Sequence, residues 1–215
     1  MIQILFENND ILAVNKPEGL ASIPEGEKGK DCLLSLLAPL SPGRLYVVHR
    51  LDKETSGIII FAKNVAAHSY LNDQFSQRNV RKTYVALTHG VIEESSGIID
   101  KPLRQFGSGR MGVDPQRGKP CITEFRVEER LRAYTLVQVH PITGRRHQIR
   151  VHLYSIGHPI VGDLRYGDRG VQRQFPRLML HAQAITFRLP TGEQVTLEAS
   201  TPQSFLAIVE SVRRT

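Results

Sequence analysis

Val48-His49-Arg50-Leu51-Asp52-Lys53-Glu54-Thr55-Ser56-Gly57-Ile58-Ile59-Ile60-Phe61-Ala62 reads as a polar turn with one carboxylate, preceded by a short strand and followed by a strand rich in β-branched residues. Five apolar residues in succession, without alternation, predict a strand covered on both faces. A carboxylate at the mouth of such a strand stands on rigid support. His49 and Arg50 place positive or potentially positive groups just before Asp52, and Thr55-Ser56-Gly57 offers hydroxyls and backbone donors in a confined turn. The plain alternative is an Asp that only bonds its own backbone, as Asp does in turns rich in Thr, Ser and Gly. An aspartic protease pairs two carboxylates on one proton and needs Asp followed at once by Thr or Ser and Gly. Here Lys53 and Glu54 intervene and no second copy occurs.

Upstream, apolar runs at 4–7 and 11–15 flank Asn8-Asn9-Asp10, which predicts a hairpin. Pro17 and Gly19 end its second strand. Residues 21–43 begin polar and Gly-rich, then read as a helix over 31–37 that contains Cys32 as a small core residue, broken by Pro39 and Pro42. Downstream, 64–79 reads as a helix capped by Asn64, with Ala67, Leu71 and Phe75 on one stripe. Residues 81–87 alternate like a strand that places Lys82, Tyr84 and Ala86 on one face.

Residues 104–120 carry Arg104, Arg110, Arg117 and Lys119 against Asp114, which predicts a flexible basic loop suited to phosphates. Strands follow over 122–127 and 134–139. A helix is expected from Thr143 as cap to Gly157, with Ile149, Leu153 and Ile156 inward and Arg146 and Arg150 on another face. Arg165, Arg169, Arg173 and Arg177 recur among glycines and Pro176, so a basic loop is expected there. A hairpin around 190–193 and a helix after Thr201-Pro202, striped by Phe205, Ile208 and Val209, complete the chain.

The 215 residues contain 28 Lys and Arg against 21 Asp and Glu, a net charge of +7 that favours a polyanionic partner. With 40% hydrophobic and 23% charged residues the composition is that of a globular protein, and no apolar run approaches the ~18 residues of a membrane helix. The first residues lack the basic start of a secretory signal, so a cytoplasmic location is expected. Cys32 and Cys121 form no metal or redox pair, and His147 and His152, five apart, fall on different helix faces. No metal is expected. A single domain over 1–215 and a monomer are expected.

The string from His49 to Gly57 resembles the catalytic motif of the RluA group of RNA pseudouridine synthases, His-Arg-Leu-Asp-x-x-Thr-Ser-Gly, at every fixed position. Further blocks are similar: Asn15-Lys16-Pro17-Glu18-Gly19, Lys82-Thr83-Tyr84-Val85-Ala86, Thr143-Gly144-Arg145-Arg146-His147-Gln148-Ile149-Arg150-Val151-His152, and Arg177-Leu178-Met179-Leu180-His181-Ala182. The resemblance covers nearly the whole chain and starts within the first twenty residues, so the separate N-terminal RNA-binding module of many relatives is not expected here. It implies an α+β fold with a mixed, mainly antiparallel central sheet and a catalytic cleft, flanked by helices and loops. It also implies Asp52 as nucleophile, Tyr84 in the active site and Arg150 ion-paired with Asp52. Substrate contacts would come from Arg50, which occupies the space of a flipped base, and from His49, Thr55, Arg145 and Leu180, the last lining the base pocket. The implied partner is RNA, in stem-loops of transfer RNA, large-subunit ribosomal RNA, or both.

Converting uridine to pseudouridine breaks the bond from base nitrogen to ribose, turns the uracil and rejoins it through carbon 5. Atoms and electrons are conserved, so no cofactor is expected. The reaction needs a nucleophile and a dry pocket that retains the detached base. Burial raises a carboxyl pKa and an adjacent guanidinium lowers it, which is the part expected of Arg150. Two other classes compete, a catalytically silent RNA-binding domain and a nucleosidase-like hydrolase. Incubation with RNA separates the three as isomerised uridine, no change, or free uracil.

Overall fold

Asn8 makes the first turn of the chain, its side-chain oxygen accepting from the N–H groups of Asp10 (2.9 Å) and Ile11 (2.8 Å). Strand β1 (Gln3–Glu7) thereby folds back on β2 (Ile11–Lys16) as the expected antiparallel hairpin. The computed structural model describes residues 2–24 and 31–214, so most of the polar stretch expected after Ala21 lies outside the described residues. Helix α1 (Leu33–Leu37) starts later than expected. Cys32 precedes it in extended conformation, buried and bridged to Ala21, and a single 3₁₀ turn (Ala38–Leu40) follows.

Strand β3 (Tyr46–Val47) leads through the acidic turn into β4 (Ser56–Ala62), where all seven residues are buried. Each fully buried Ile or Phe there contributes about 1.5–3 kcal/mol, which makes β4 the anchor of its unit. It pairs antiparallel with β2 from Gly57 to Ala62 and with β3 at its end. Helix α2 (Val65–Ser76) follows, capped as expected by Asn64, whose side-chain oxygen accepts from Ala67 N–H at 2.8 Å.

The chain then runs through β5 (Arg81–His89), β6 (Ser96–Asp100), the short pair β7 (Leu103–Gln105) and β8 (Met111–Val113), β9 (Ile122–Arg130), β10 (Tyr134–Pro141), and helices α3 (Gln148–Ser155) and α4 (Arg169–Gln172). It ends with the hairpin β11 (Leu180–Arg188) and β12 (Gln194–Glu198) and helix α5 (Gln203–Arg214). Two compact units result: Met1–Lys82 with Ala182–Thr201, and Thr83–His181 with Pro202–Thr215.

In the first unit the strand order is β1-β2-β4-β11, with β12 beside β11 and β3 beside β4. At Gly57 (φ +119) a Cβ atom would overlap the backbone of Ala182, so β4 and β11 meet where only glycine fits. In the second unit the order is β5-β10-β9-β6, antiparallel throughout, and the core joins Leu87, Val137, Val139, Leu153, Phe205 and Val209 with their neighbours. The class is α+β with mainly antiparallel sheet, as the resemblance implied. No helix among the described residues is long and apolar enough to cross a membrane.

Three further expectations need correction. The basic stretch 104–120 is a β7–β8 hairpin with turns, in which Arg104 pairs with Asp114 at 3.1 Å and lies over the Phe106 ring. Helix α3 begins only at Gln148, because Thr143 gives its hydroxyl to the Gln148 side chain (2.7 Å) and His147 adopts a left-handed conformation (φ +53). Arg177 is buried, bonded to Ser204 Oγ at 2.8 Å and to the Leu178 carbonyl, so it is an anchor for α5 and not part of a basic surface loop.

Candidate active site

The turn that carries Asp52 is held from both flanks by side chains of residues 16–22. Ser22 Oγ donates to the Leu51 carbonyl at 2.8 Å and accepts from the Leu51 N–H at 3.1 Å, so one hydroxyl satisfies both backbone groups before Asp52. On the other side the Lys16 ammonium, wholly buried, donates to the carbonyls of Pro17 (2.8 Å), Leu20 (2.7 Å) and Lys53 (3.1 Å). An ammonium removed from water requires such acceptors, and its three protons meet three oxygens here. The turn closes by Thr55 N–H donating to the Asp52 carbonyl at 3.1 Å. Asp52 itself stays partly exposed, while Thr55 is buried and its hydroxyl finds no partner among the described residues.

His49 serves the framework of this turn. Its Nε2 accepts the backbone N–H of Ile60 at 3.1 Å, and its ring stacks on Phe75 with centroids 5.0 Å apart. An accepting Nε2 requires the neutral ring. Burial first, and positive Lys82 second, push its pKa down to about 3. The positive charge that the sequence allowed next to Asp52 therefore rests on exposed Arg50 and not on His49.

In the second unit, Arg150 projects from α3 and is 4% exposed, contrary to the expectation that it lines an open helix face with Arg146. Its Nε donates to Asp163 Oδ2 at 2.7 Å and its Nη2 to Oδ1 at 2.8 Å, a two-pronged ion pair. Tyr166 lies beneath the guanidinium, with Cζ 5.3 Å from the ring centre. The Tyr166 hydroxyl accepts from Met111 N–H at 3.2 Å and meets His147 Nδ1 at 2.8 Å. Burial raises the pKa of that phenol.

A second buried network fixes the loop before α3. Gln148 Oε1 accepts from Thr143 Oγ1 (2.7 Å) and Arg145 N–H (3.0 Å), and its Nε2 donates to the Ile122 carbonyl (2.8 Å) and Thr123 Oγ1 (2.9 Å). Thr123 Oγ1 continues to His152 Nδ1 (2.8 Å), whose Nε2 reaches the Lys101 carbonyl (2.9 Å). Donors and acceptors match along the whole chain when His152 is neutral, and burial holds its pKa low. Gln148 thus sets the backbone of Arg145, whose side chain is exposed.

The predicted residues divide between the units. His49, Arg50, Asp52 and Thr55 belong to the first. Tyr84, Arg145, Arg150 and Leu180 belong to the second, with Tyr84 partly buried on β5 and Leu180 buried in the core at the start of β11. Sequence reading missed Lys16 and Ser22 as holders of the acidic turn, and Asp163 as the partner of Arg150. The block containing Asn15-Lys16-Pro17 was visible, but a lone Lys in a strand gives no sign that its ammonium is buried.

An antiparallel α+β scaffold that presents one carboxylate in a braced turn, on a chain of net charge +7, has the features of an enzyme acting on a polyanion. The profile of the RNA pseudouridylate synthase family matches residues 10–155, and the chain belongs to that family, within its RluA group. It is 37% identical over 226 residues to the uncharacterized RNA pseudouridine synthase YlyB of Bacillus subtilis, covering 99% of this chain and 73% of that one. It is 39% identical over 224 residues to ribosomal large subunit pseudouridine synthase C of Escherichia coli, covering 98% and 70%. Among solved structures it is similar to human RNA pseudouridylate synthase domain containing 1, with TM-score 0.80 and 32% identity over 100% of this chain and 96% of that one. The protein is an RNA pseudouridine synthase, an isomerase.

Proposed function

We propose that the chain isomerises particular uridines in stem-loops of large-subunit ribosomal RNA, transfer RNA, or both, with Asp52 as the nucleophile. The observation that carries this reading is the braced turn. Leu51 and Lys53 are tied by Ser22 and Lys16, so the carboxylate between them is held by backbone fixed on both sides, as a positioned nucleophile requires. The match of His49 to Gly57 to the family motif supports the same assignment.

In this reading the target uridine leaves its stack at a cost of about a few kcal/mol, and contacts of the basic chain with phosphates offset it. Arg50 occupies the vacated space. Asp52 acts on the ribose or the base, Tyr84 stands beside the uracil and assists proton transfer, and Arg150 balances the carboxylate charge. Thr55 and His49 shape the turn against the substrate, Leu180 lines the base pocket and Arg145 contacts the RNA. The two units act as one catalytic domain in a cytoplasmic monomer, without cofactor. A target in large-subunit ribosomal RNA is supported by the names of the relatives.

The test uses RNA containing 5-tritiated uridine. Asp52→Asn should bind RNA as the parent does and release no tritium. Release at the parental rate overturns the role of Asp52. Mapping pseudouridine in total RNA from a strain lacking this protein then identifies the position.

A further inference from the structure

We infer that Asp163 is a positioning residue for the reaction, acting through the guanidinium of Arg150. This rests on the assignment of Arg150 to the catalytic set. A guanidinium is rigid and planar, so fixing one edge fixes the direction of every N–H it carries. Asp163 takes the edge formed by Nε and Nη2, at 2.7 and 2.8 Å, and leaves Nη1 outside that fork but with its orientation set by it.

The carboxylate is itself immobilised. Its Oδ1 also accepts from the N–H groups of Arg165 (2.9 Å) and Tyr166 (3.1 Å), and Asp163 N–H donates to the Ile160 carbonyl (3.2 Å). Immediately before it, Gly162 (φ +76) donates to Gln172 Oε1 at 2.6 Å, where a Cβ would overlap the Arg177 carbonyl. The loop is thus a rigid bracket tied to three separate elements of its unit. The Tyr166 ring adds a floor under the guanidinium, and its hydroxyl is anchored to β8. Such a bracket does more than neutralise a charge, for which a single water-exposed carboxylate suffices. Stability alone does not require it either, since a buried ion pair is often matched by apolar residues of the same volume. Its particular effect is to hold Arg150 in one rotamer at little entropic loss on catalysis.

The experiment compares the parent, Asp163→Asn, Arg150→Lys and the double variant, with tritium release from 5-tritiated-uridine transcripts of large-subunit ribosomal and transfer RNA. Asparagine keeps the shape and one acceptor but cannot fork. Asp163→Asn should lower kcat by up to about 100-fold, the effect of a misplaced catalytic group, with KM for RNA unchanged. The double variant should be no slower than Arg150→Lys alone, because both changes remove one function. Parental kcat in Asp163→Asn beside an inactive Arg150→Lys overturns the inference and leaves the catalytic assignment standing. Multiplicative losses also overturn it. Parental activity in Arg150→Lys instead removes the catalytic assignment itself. The parent protein supplies a check that needs no variant to fold: the Arg150 Nε–H resonance should exchange with water far more slowly than those of exposed arginines such as Arg214. Fast exchange overturns the bracket.

Discussion

Ser22 and Leu51 share a reciprocal pair of hydrogen bonds in which one hydroxyl donates to the Leu51 carbonyl at 2.8 Å and accepts its N–H at 3.1 Å. Both residues are buried, so neither backbone group has water to replace the hydroxyl. Ser22→Ala should therefore cost about 1–3 kcal/mol of stability. It should also lower kcat more than RNA affinity, since the backbone released is the one that carries Asp52. Chemical denaturation and single-turnover tritium release measure the two losses. An unchanged kcat in the folded variant would show that the flank before Asp52 tolerates movement.

Lys16 braces the other flank, and its replacement distinguishes packing from hydrogen bonding. Lys16→Met preserves most of the volume yet leaves the carbonyls of Pro17, Leu20 and Lys53 without their donor. A loss of about 2–4 kcal/mol is expected, because several buried acceptors are orphaned together. Urea unfolding checks it. A neutral result would mean that water enters and takes over the ammonium's bonds.

Acid should destabilise the protein through His49. Its folded-state pKa of about 3 lies below the unfolded value of 6.5, so between these values the unfolded chain binds a proton that the native chain refuses. Stability is complete above the upper value and falls as pH drops toward the lower one. His89 and His152 shift in the same direction, mainly through burial, and add to the loss. His49→Asn has no imidazole to protonate, so its urea midpoint should vary less between pH 6.5 and 4.5. Equal pH dependence in the two proteins would mean that the imidazole protonates freely in the fold.

Gly57→Ala should be among the most damaging substitutions of a small residue. The added methyl meets the Ala182 backbone, and φ +119 is strained for any side chain. A cost of at least ~2 kcal/mol is expected from the strained backbone and the displaced strand. Gly19→Ala, with φ +79 but open space around the Cβ, should cost less. Thermal unfolding of the two variants ranks them directly.

The fold was legible where local pattern and tertiary role agree. The unbroken run Ile58-Ile59-Ile60-Phe61-Ala62 reads as a strand covered on both faces, and β4 is buried at every residue. Asn8 and Asn64 announced a turn and a cap because each acts within three residues of its own position. The misread features depend on distant partners. Arg150 looks exposed until Asp163, 13 residues on, draws it inward, and Arg177 until Ser204, 27 residues on, does the same. Thr143 reads as a cap, but its hydroxyl is taken by Gln148. The neutrality of His49 follows from the Ile60 N–H, which no spacing rule reveals.

The first unit is assembled from two separated pieces of chain, since β11 begins at Leu180 while its neighbour β4 ends at Ala62. As the polypeptide emerges from the ribosome, β4 is already synthesised while its neighbour β11 is still untranslated. Until that segment arrives, the nascent protein carries an uncovered apolar border of the kind that recruits chaperones or mispairs with other chains.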